Sequence, residues 1–203
     1  RYGEIGLKGK NRWYFVKRLR KNVRDCLKKH DITGEVRSIG QRVYVQVEEV
    51  ERAIEKLRDV FGVVSLSPAH EVAADIEVIS AEALRMAQRA GLDEERTFRV
   101  QSRRADKSFP FISPDINRLV GAHVQQATGA QVDLSDEADL TIGVEVRRDH
   151  ALVYGQTLAG HGGLPLGSEG RAVALMSGGI DSPVAAWMMM RRGCGVIPIH
   201  FRQ

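Results

Sequence analysis

The chain has 203 residues, 43% of them hydrophobic and 28% charged, with a formal net charge of +4. That composition leaves room for one to three folded domains; no apolar run reaches the roughly 18 residues of a membrane helix, and no signal-peptide pattern opens the chain. The two cysteines, Cys26 and Cys194, form no CxxC pair, so neither a disulfide framework nor a zinc site is expected, and the expected location is a reducing cytoplasm.

The opening RYGEIG lacks a methionine and the chain stops just after an apolar run, as expected of a fragment of a longer protein. The basic residues crowd the front. Eleven of them, from Arg1 to Lys29, face only Glu4 and Asp25 in the first thirty positions, and the remainder of the chain is net negative. Such an excess favours a polyanion, nucleic acid above all, and the aromatics interleaved in GKNRWYF suit RNA. A solvated helix face is the plainer reading of the same charges.

Within NRWYFVKRLRKNVRDCLKKH, Phe15, Val16, Leu19, Val23, Cys26 and Leu27 recur at helical spacing, with basic residues on the other faces. GEVRSIGQRVYVQVE reads as strands Glu35–Ile39 and Arg42–Val47 turned at Gly40-Gln41. EEVERAIEKLRDVFG is an amphipathic helix stopped by Gly62, and VVSLSPAHEV is a strand. With a first strand around Arg1–Ile5, the order is βαββαβ, the ferredoxin-like split pattern over about seventy residues.

A second unit follows. ISAEALRMAQRAGL is a helix that Ser80 is placed to cap, and RTFRVQSRRAD is a strand ending in basic residues. SPDINRLVGAHVQQATG carries a Ser113 cap, Pro114 in the first turn and Gly129 past the end, three helix signals. Leu140, Ile142, Val144 and Val146 alternate, Arg148-Asp149 turns, and Leu152, Tyr154 and Gln156 alternate back, which is a β-hairpin. The Gly-rich AGHGGLPLGSEG reads as an interdomain linker.

After it, RAVALM is a short buried-type strand, SGGIDS a turn, PVAAWMMMRRG a helix and CGVIPIHF a second strand. This is one βαβ unit, and two parallel strands with one helix cannot cover both faces of a sheet. The turn is a candidate anion site, because strand, Gly turn and helix bring backbone N–H groups to a helix N-terminus. Ser177 and Ser182 add hydroxyls, and Asp181 is a candidate to orient Mg²⁺ on a polyphosphate. Neither GxxxxGK[ST] nor GxGxxG is present. A glycine turn with Ser and Asp acting only as helix caps is the alternative.

SGGIDSPVA resembles the PP-loop of ATP pyrophosphatases, and the context narrows it. RYGEIGLKGKNR, RRADKSFPFISPDINRLVGAHV, VDLSDEADLTIGVEV and GGLPLGSEGRAVALMSGGIDSPVAAWMMMRRG, in that order, resemble the tRNA 4-thiouridine synthetase family over essentially the whole chain. The resemblance implies an α+β fold followed by α/β: a ferredoxin-like domain at residues 1–72, a THUMP RNA-binding domain at 73–160, a linker at 161–170, and the start of a PP-loop domain at 171–203.

It implies an activity too: ATP adenylates a tRNA uridine, and sulfur from a cysteine desulfurase persulfide then replaces the oxygen. Family members also supply sulfur for the thiazole of thiamine. The cofactors implied are ATP and Mg²⁺; the partners are tRNA and the desulfurase, with no membrane and a homodimer left open. Carried over by motif, Ser177, Gly178, Gly179, Asp181 and Ser182 hold the nucleotide phosphates, Asp181 being the catalytic candidate, and Leu175, Met176, His200 and Phe201 flank the adenosine. The RNA-binding candidates are Lys8, Lys10 and Arg12, and Arg103, Arg104 and Lys107. Cys26 and Cys194 read as packing residues, the family's sulfur-handling cysteines lying further along than Gln203. Two alternatives stay open, an RNA-binding module alone and another PP-loop adenylating synthetase; as a fragment, the chain is expected to bind tRNA without turnover.

Overall fold

The computed structural model describes residues 1–40 and 42–201. Two short 3-10 turns, Glu4–Leu7 and Gly9–Asn11, lead into α1 (Arg12–Lys29), β1 (Gly34–Ile39), β2 (Arg42–Val47), α2 (Val50–Leu57) and β3 (Ser65–Leu66). There follow β4 (His70–Ala73), α3 (Ile76–Arg89), β5 (Thr97–Arg104), α4 (Ser113–Thr128), β6 (Gln131–Val132), β7 (Leu140–Val146) and β8 (His150–Tyr154). The chain ends with β9 (Leu158–Ala159), β10 (Arg171–Leu175), α5 (Asp181–Arg191) and β11 (Gly195–Ile199). No helix among the described residues is long and apolar enough to cross a membrane.

These elements form two compact units, one of Arg1–Leu66 with Leu158–Gln203 and one of Ser67–Thr157. In the first, α1 buries Phe15, Leu19, Val23 and Leu27, one helical stripe, against Val36 of β1, Ala53 and Leu57 of α2, and Ile5. Val16 and Cys26 pack at the margin of that core, and burial pushes the Cys26 thiol pKa up. β1 and β2 pair antiparallel with Gly34 opposite Val47. Of their expected turn, Gln41 lies outside the described residues.

The expected first strand over Arg1–Ile5 is replaced by the 3-10 turn from Glu4; only Arg1 keeps ladder bonds, its N donating to Ser65 O at 2.5 Å and its O accepting from Val64 N at 2.9 Å. α2 stops at Leu57, five residues before Gly62. The strand read in VVSLSPAHEV is two strands split between the units, β3 pairing with β9 and β4 joining the sheet of the second unit. Pro68 lies between them and has no N–H to give a continuous ladder.

The second unit is a five-stranded sheet in the order β4-β8-β7-β5-β6, parallel from β7 through β5 to β6 and antiparallel elsewhere. Ile79, Ala83 and Ala87 on α3 and Ile116, Val120 and Val124 on α4 recur every four residues, all fully buried, and meet Phe98, Ile142, Val144 and Val153. Ser80 does not cap α3. The cap is Asp75, whose carboxylate accepts from Glu77 N and Val78 N at 2.9 and 3.1 Å, while the Ser80 hydroxyl donates to Ile76 O one turn back. α4 begins at Ser113 itself, with Ile112 at the cap position, and ends at Gly129 in the left-handed region (φ 74°). On β8, Ala151 and Val153 face the core, and the alternating Leu152 and Tyr154 take the other face.

The stretch expected to be a linker, 161–170, is not a free tether. Gly162, Gly163, Leu164 and Pro165 are buried, and Leu164 belongs to the core beneath α1. Glycine and proline usually mark loops, but buried backbone must find hydrogen-bond partners, and here it does.

Candidate functional site

The phosphate loop lies where β10 ends and α5 begins. β10 and β11 run parallel with Leu175 opposite Ile199, so residues 176–180 and His200–Phe201 leave from the same carboxyl end of the strands, the end at which open α/β folds bind ligands. Met176 N donates to Ile199 O at 2.8 Å, and the Nδ1 of His200 lies 2.9 Å from Met176 O. A carbonyl can only accept, so Nδ1 carries the proton of this hydrogen bond. Leu175 and Phe201 are exposed on either side.

Inside the loop, the Ser182 hydroxyl accepts from Ser177 N at 3.0 Å and lies 3.1 Å from the Ser177 hydroxyl, which accepts from Gly179 N at 3.3 Å. No side chain caps the start of α5, so its first-turn N–H groups face the loop unclaimed by a side chain. Gly178 has no heavy atom within 4 Å of the place where a Cβ would sit, and neither Gly178 nor Gly179 takes a positive φ. Their contribution is space for a ligand. Donors, the positive helix end and that space fit the phosphates of a nucleotide.

Asp181 is exposed at the same helix end. A carboxylate beside a polyphosphate repels it unless a divalent cation lies between, and this is how the residues present would take Mg²⁺. Among the described residues no cluster of three or more His, Cys, Asp or Glu is placed to hold a metal alone, so such a cation would depend on phosphate oxygens.

The first basic patch is larger than the expected trio and omits one of its members. Lys8 turns into the fold: its Nζ lies 4.7 Å from the centre of the Phe15 ring and 3.7 Å from Glu169. Lys10 and Arg12 instead line an open cleft of about 580 Å³ together with Trp13, Lys17, Arg20 and Arg24, and no acidic residue among the described ones lines it. Arg20 and Arg24 both donate to Val36 O, at 3.4 and 3.0 Å, which fixes where their guanidinium groups lie. Lys17, Arg20 and Arg24 follow helical i, i+3, i+7 spacing, the signal that would have found them in the sequence.

The second patch is also rearranged. Arg103 and Arg104 are neighbours on β5 and point to opposite faces of the sheet. Arg103 and Lys107 are exposed, whereas the Arg104 guanidinium donates to Phe109 O and Phe111 O at 3.3 and 3.5 Å and holds that loop. The nearby cleft, about 510 Å³, is lined by Ala105, Asp106, Ser108, Arg147 and Arg148. Arg147 pairs with Glu145, a carboxylate only 2% exposed. The backbone N–H and hydroxyl of Ser108 hold the Asp106 carboxyl below its usual range. Arg148 was hidden in the sequence as a turn residue, and the adjoining Arg147 carries no signal of its own.

Comparison with known proteins fits this geometry. Residues 1–67 match the ThiI ferredoxin-like domain, 73–155 the THUMP domain, and 167–203 the family described as thiamine biosynthesis protein (ThiI). A probable tRNA sulfurtransferase of Brevibacillus brevis is 44% identical over 204 residues, which cover 99% of this chain and 50% of the relative. The crystal structure of PH1313 from Pyrococcus horikoshii superposes with a TM-score of 0.92 at 37% identity, covering 100% of this chain and 67% of the other. A 4-thiouridine synthetase solved as an RNA complex with bound ATP gives a TM-score of 0.85 at 35% identity, over 100% of this chain and 52% of the other. The chain spans about half the length of the curated relatives it matches. With ferredoxin-like and THUMP domains in sequence and the phosphate loop following them, the chain belongs to the ThiI family of tRNA sulfurtransferases.

Proposed function

We propose that this chain is the RNA-gripping front, and the nucleotide loop, of a cytoplasmic enzyme that makes 4-thiouridine in tRNA at the expense of ATP. The observation that carries the reading is the phosphate loop: open space at Gly178, the Ser177 and Ser182 hydroxyls, and a helix start without a side-chain cap. In this reading, ATP with Mg²⁺ adenylates the uridine, and a persulfide delivered by a cysteine desulfurase supplies the sulfur. Sulfur supply to the thiamine thiazole and assembly as a homodimer belong to the same proposal. Ser177, Gly178, Gly179 and Ser182 hold phosphates, Asp181 holds the cation, and Leu175, Met176, His200 and Phe201 border the adenosine. The 203 residues alone bind tRNA and turn nothing over.

The whole protein, given tRNA, ATP, Mg²⁺ and a persulfide donor, is expected to yield 4-thiouridine by nucleoside analysis of digested tRNA. Sulfur incorporation that proceeds equally well without ATP would overturn the reading.

RNA contact is assigned to Lys10, Arg12, Lys17, Arg20 and Arg24, which line one cleft, and to Arg103, Lys107 and Arg148 on the other unit. Lys8 and Arg104 are left out because they line neither cleft and are held by Glu169 and by two carbonyls, and Arg147 because it is paired with the buried Glu145. Replacing Lys10, Arg12 and Lys17 with alanine should weaken tRNA binding and flatten its salt dependence by about one unit of slope per lost phosphate contact. An unchanged slope in a titration across salt concentrations would remove the first cleft from the interface.

A further inference from the structure

Residues 160–170 lie between the basic helix α1 and the phosphate-loop helix α5, both in the first unit. On the α1 side, Arg18 donates to Gly167 O at 2.6 Å, Asn22 to Leu166 O at 3.1 Å and the Tyr14 hydroxyl to Ser168 O at 3.4 Å. Leu164, 2% exposed, is a member of the core that α1 covers. Backbone bonds from Gly62 N to Gly162 O (2.7 Å), Gly162 N to Val63 O (2.8 Å) and Gly160 N to Val64 O (2.9 Å) stitch the segment to the turn after α2.

The α5 side is held as firmly. Leu164 N donates to Arg191 O at 2.9 Å, Glu169 N to Gly193 O at 3.1 Å and Gly195 N to Gly170 O at 2.8 Å. Gly163 (φ 73°) passes so close that a Cβ there would sit 2.1 Å from Arg191 O, so both conformation and space demand glycine. Phe61, His161 and Trp187 meet with centroids 5.7 to 5.9 Å apart, two of the three pairs edge-on, and Arg192, the residue after α5, pairs with Glu4 at 2.8 Å. A flexible Gly/Ser tether would show none of these bonds.

We propose that residues 160–170 are a splint that holds the phosphate loop at one fixed position relative to α1, with Arg18, Asn22 and Leu164 as positioning residues. Resting on the functional reading above, the splint sets the separation between RNA gripped by the α1 cleft and nucleotide on the loop. Since a misplacement of about 1 Å can cost 10²-fold in rate, a fixed separation acts on kcat and leaves the binding of either partner alone.

The distance measurement uses the full-length protein with every native cysteine, Cys26 and Cys194 included, replaced by serine and spin labels at Lys28→Cys and Met188→Cys, while thiolation is assayed with the native cysteines in place. Pulsed electron spin resonance should give one narrow distance in the parent. Arg18→Ala with Asn22→Ala, surface changes that leave the core intact, should at least double its width, and Leu164→Ala should widen it further. A distribution already broad in the parent, or unchanged by the double variant, would overturn the splint. In tRNA thiolation, the double variant should lose about tenfold in kcat with KM for ATP and tRNA held, and Arg18→Lys with Asn22 intact should restore most of it. A loss confined to KM would overturn the positioning role. No thiolation by the parent would refute the functional reading and leave the splint to the distance measurement.

Discussion

Asp181→Ala in the whole protein is expected to lower the thiolation rate by about 10²–10³-fold, the size seen when one electrostatic partner of a developing charge is removed. The effect is separable from folding. Asp181 is the first residue of α5 and is exposed, so losing its carboxylate removes a favourable helix-end charge worth about 0.3–1 kcal/mol, too little to unfold the unit. Binding of tRNA should stay within about twofold, because the residue lies on none of the surfaces assigned to RNA. Asp181→Asn, which keeps the shape and removes the charge, should be as inactive as the alanine variant. Full activity in either variant, measured by 4-thiouridine formation under saturating ATP, would show that the cation is held elsewhere.

Phe98→Ala should cost the second unit about 3–5 kcal/mol, the range for emptying an aromatic site in a closed core. Phe98 is fully buried under α3 and α4, among Ile116, Val120 and Ile142. A unit of this size has a stability of about 5–15 kcal/mol, so the substitution removes a large share of it. The loss should be local: amide protection in 67–157 should collapse while that of α1 and β1 persists, because the two units have separate cores. Val132→Ala, at a residue 45% exposed on the edge strand β6, should change stability by no more than about 0.5 kcal/mol. Hydrogen exchange read segment by segment would reveal a single cooperative core if protection fell throughout the chain.

Much of the architecture was legible from periodicity. The stripe of Phe15, Leu19, Val23 and Leu27 on α1, the Pro114 and Gly129 signals around α4, and the β5 and β7 strands are local patterns that burial then confirms. Local pattern failed where distant chain decided. Ser80 looked like a cap because Asp75, the better one, precedes an apolar run that reads equally well as strand. The phase of β8 was set by its partners β7 and β4, and alternation of Leu152 and Tyr154 carried no information on which face would be covered.

The site shows the same division. SGGIDS between a strand and a helix is readable in the sequence as a candidate anion loop, since the groups it would use are backbone N–H and hydroxyls a few residues apart. The basic surfaces were half legible: a cluster of charge can be counted, but which cations are already committed cannot. Lys8 is engaged by Glu169 and Phe15, and Arg104 by two carbonyls, through contacts invisible to spacing.

By itself, the sequence determined most of the secondary elements and the backbone and hydroxyl donors gathered in SGGIDS, because each depends on neighbours within a turn or two. Only the tertiary structure decided which arginines face solvent, that His200 Nδ1 meets Met176 O, and that a glycine-rich stretch is hydrogen-bonded on both sides. Those outcomes depend on backbone and side-chain groups up to 154 positions apart, as between Tyr14 and Ser168, and no local pattern encodes a partner that far along the chain.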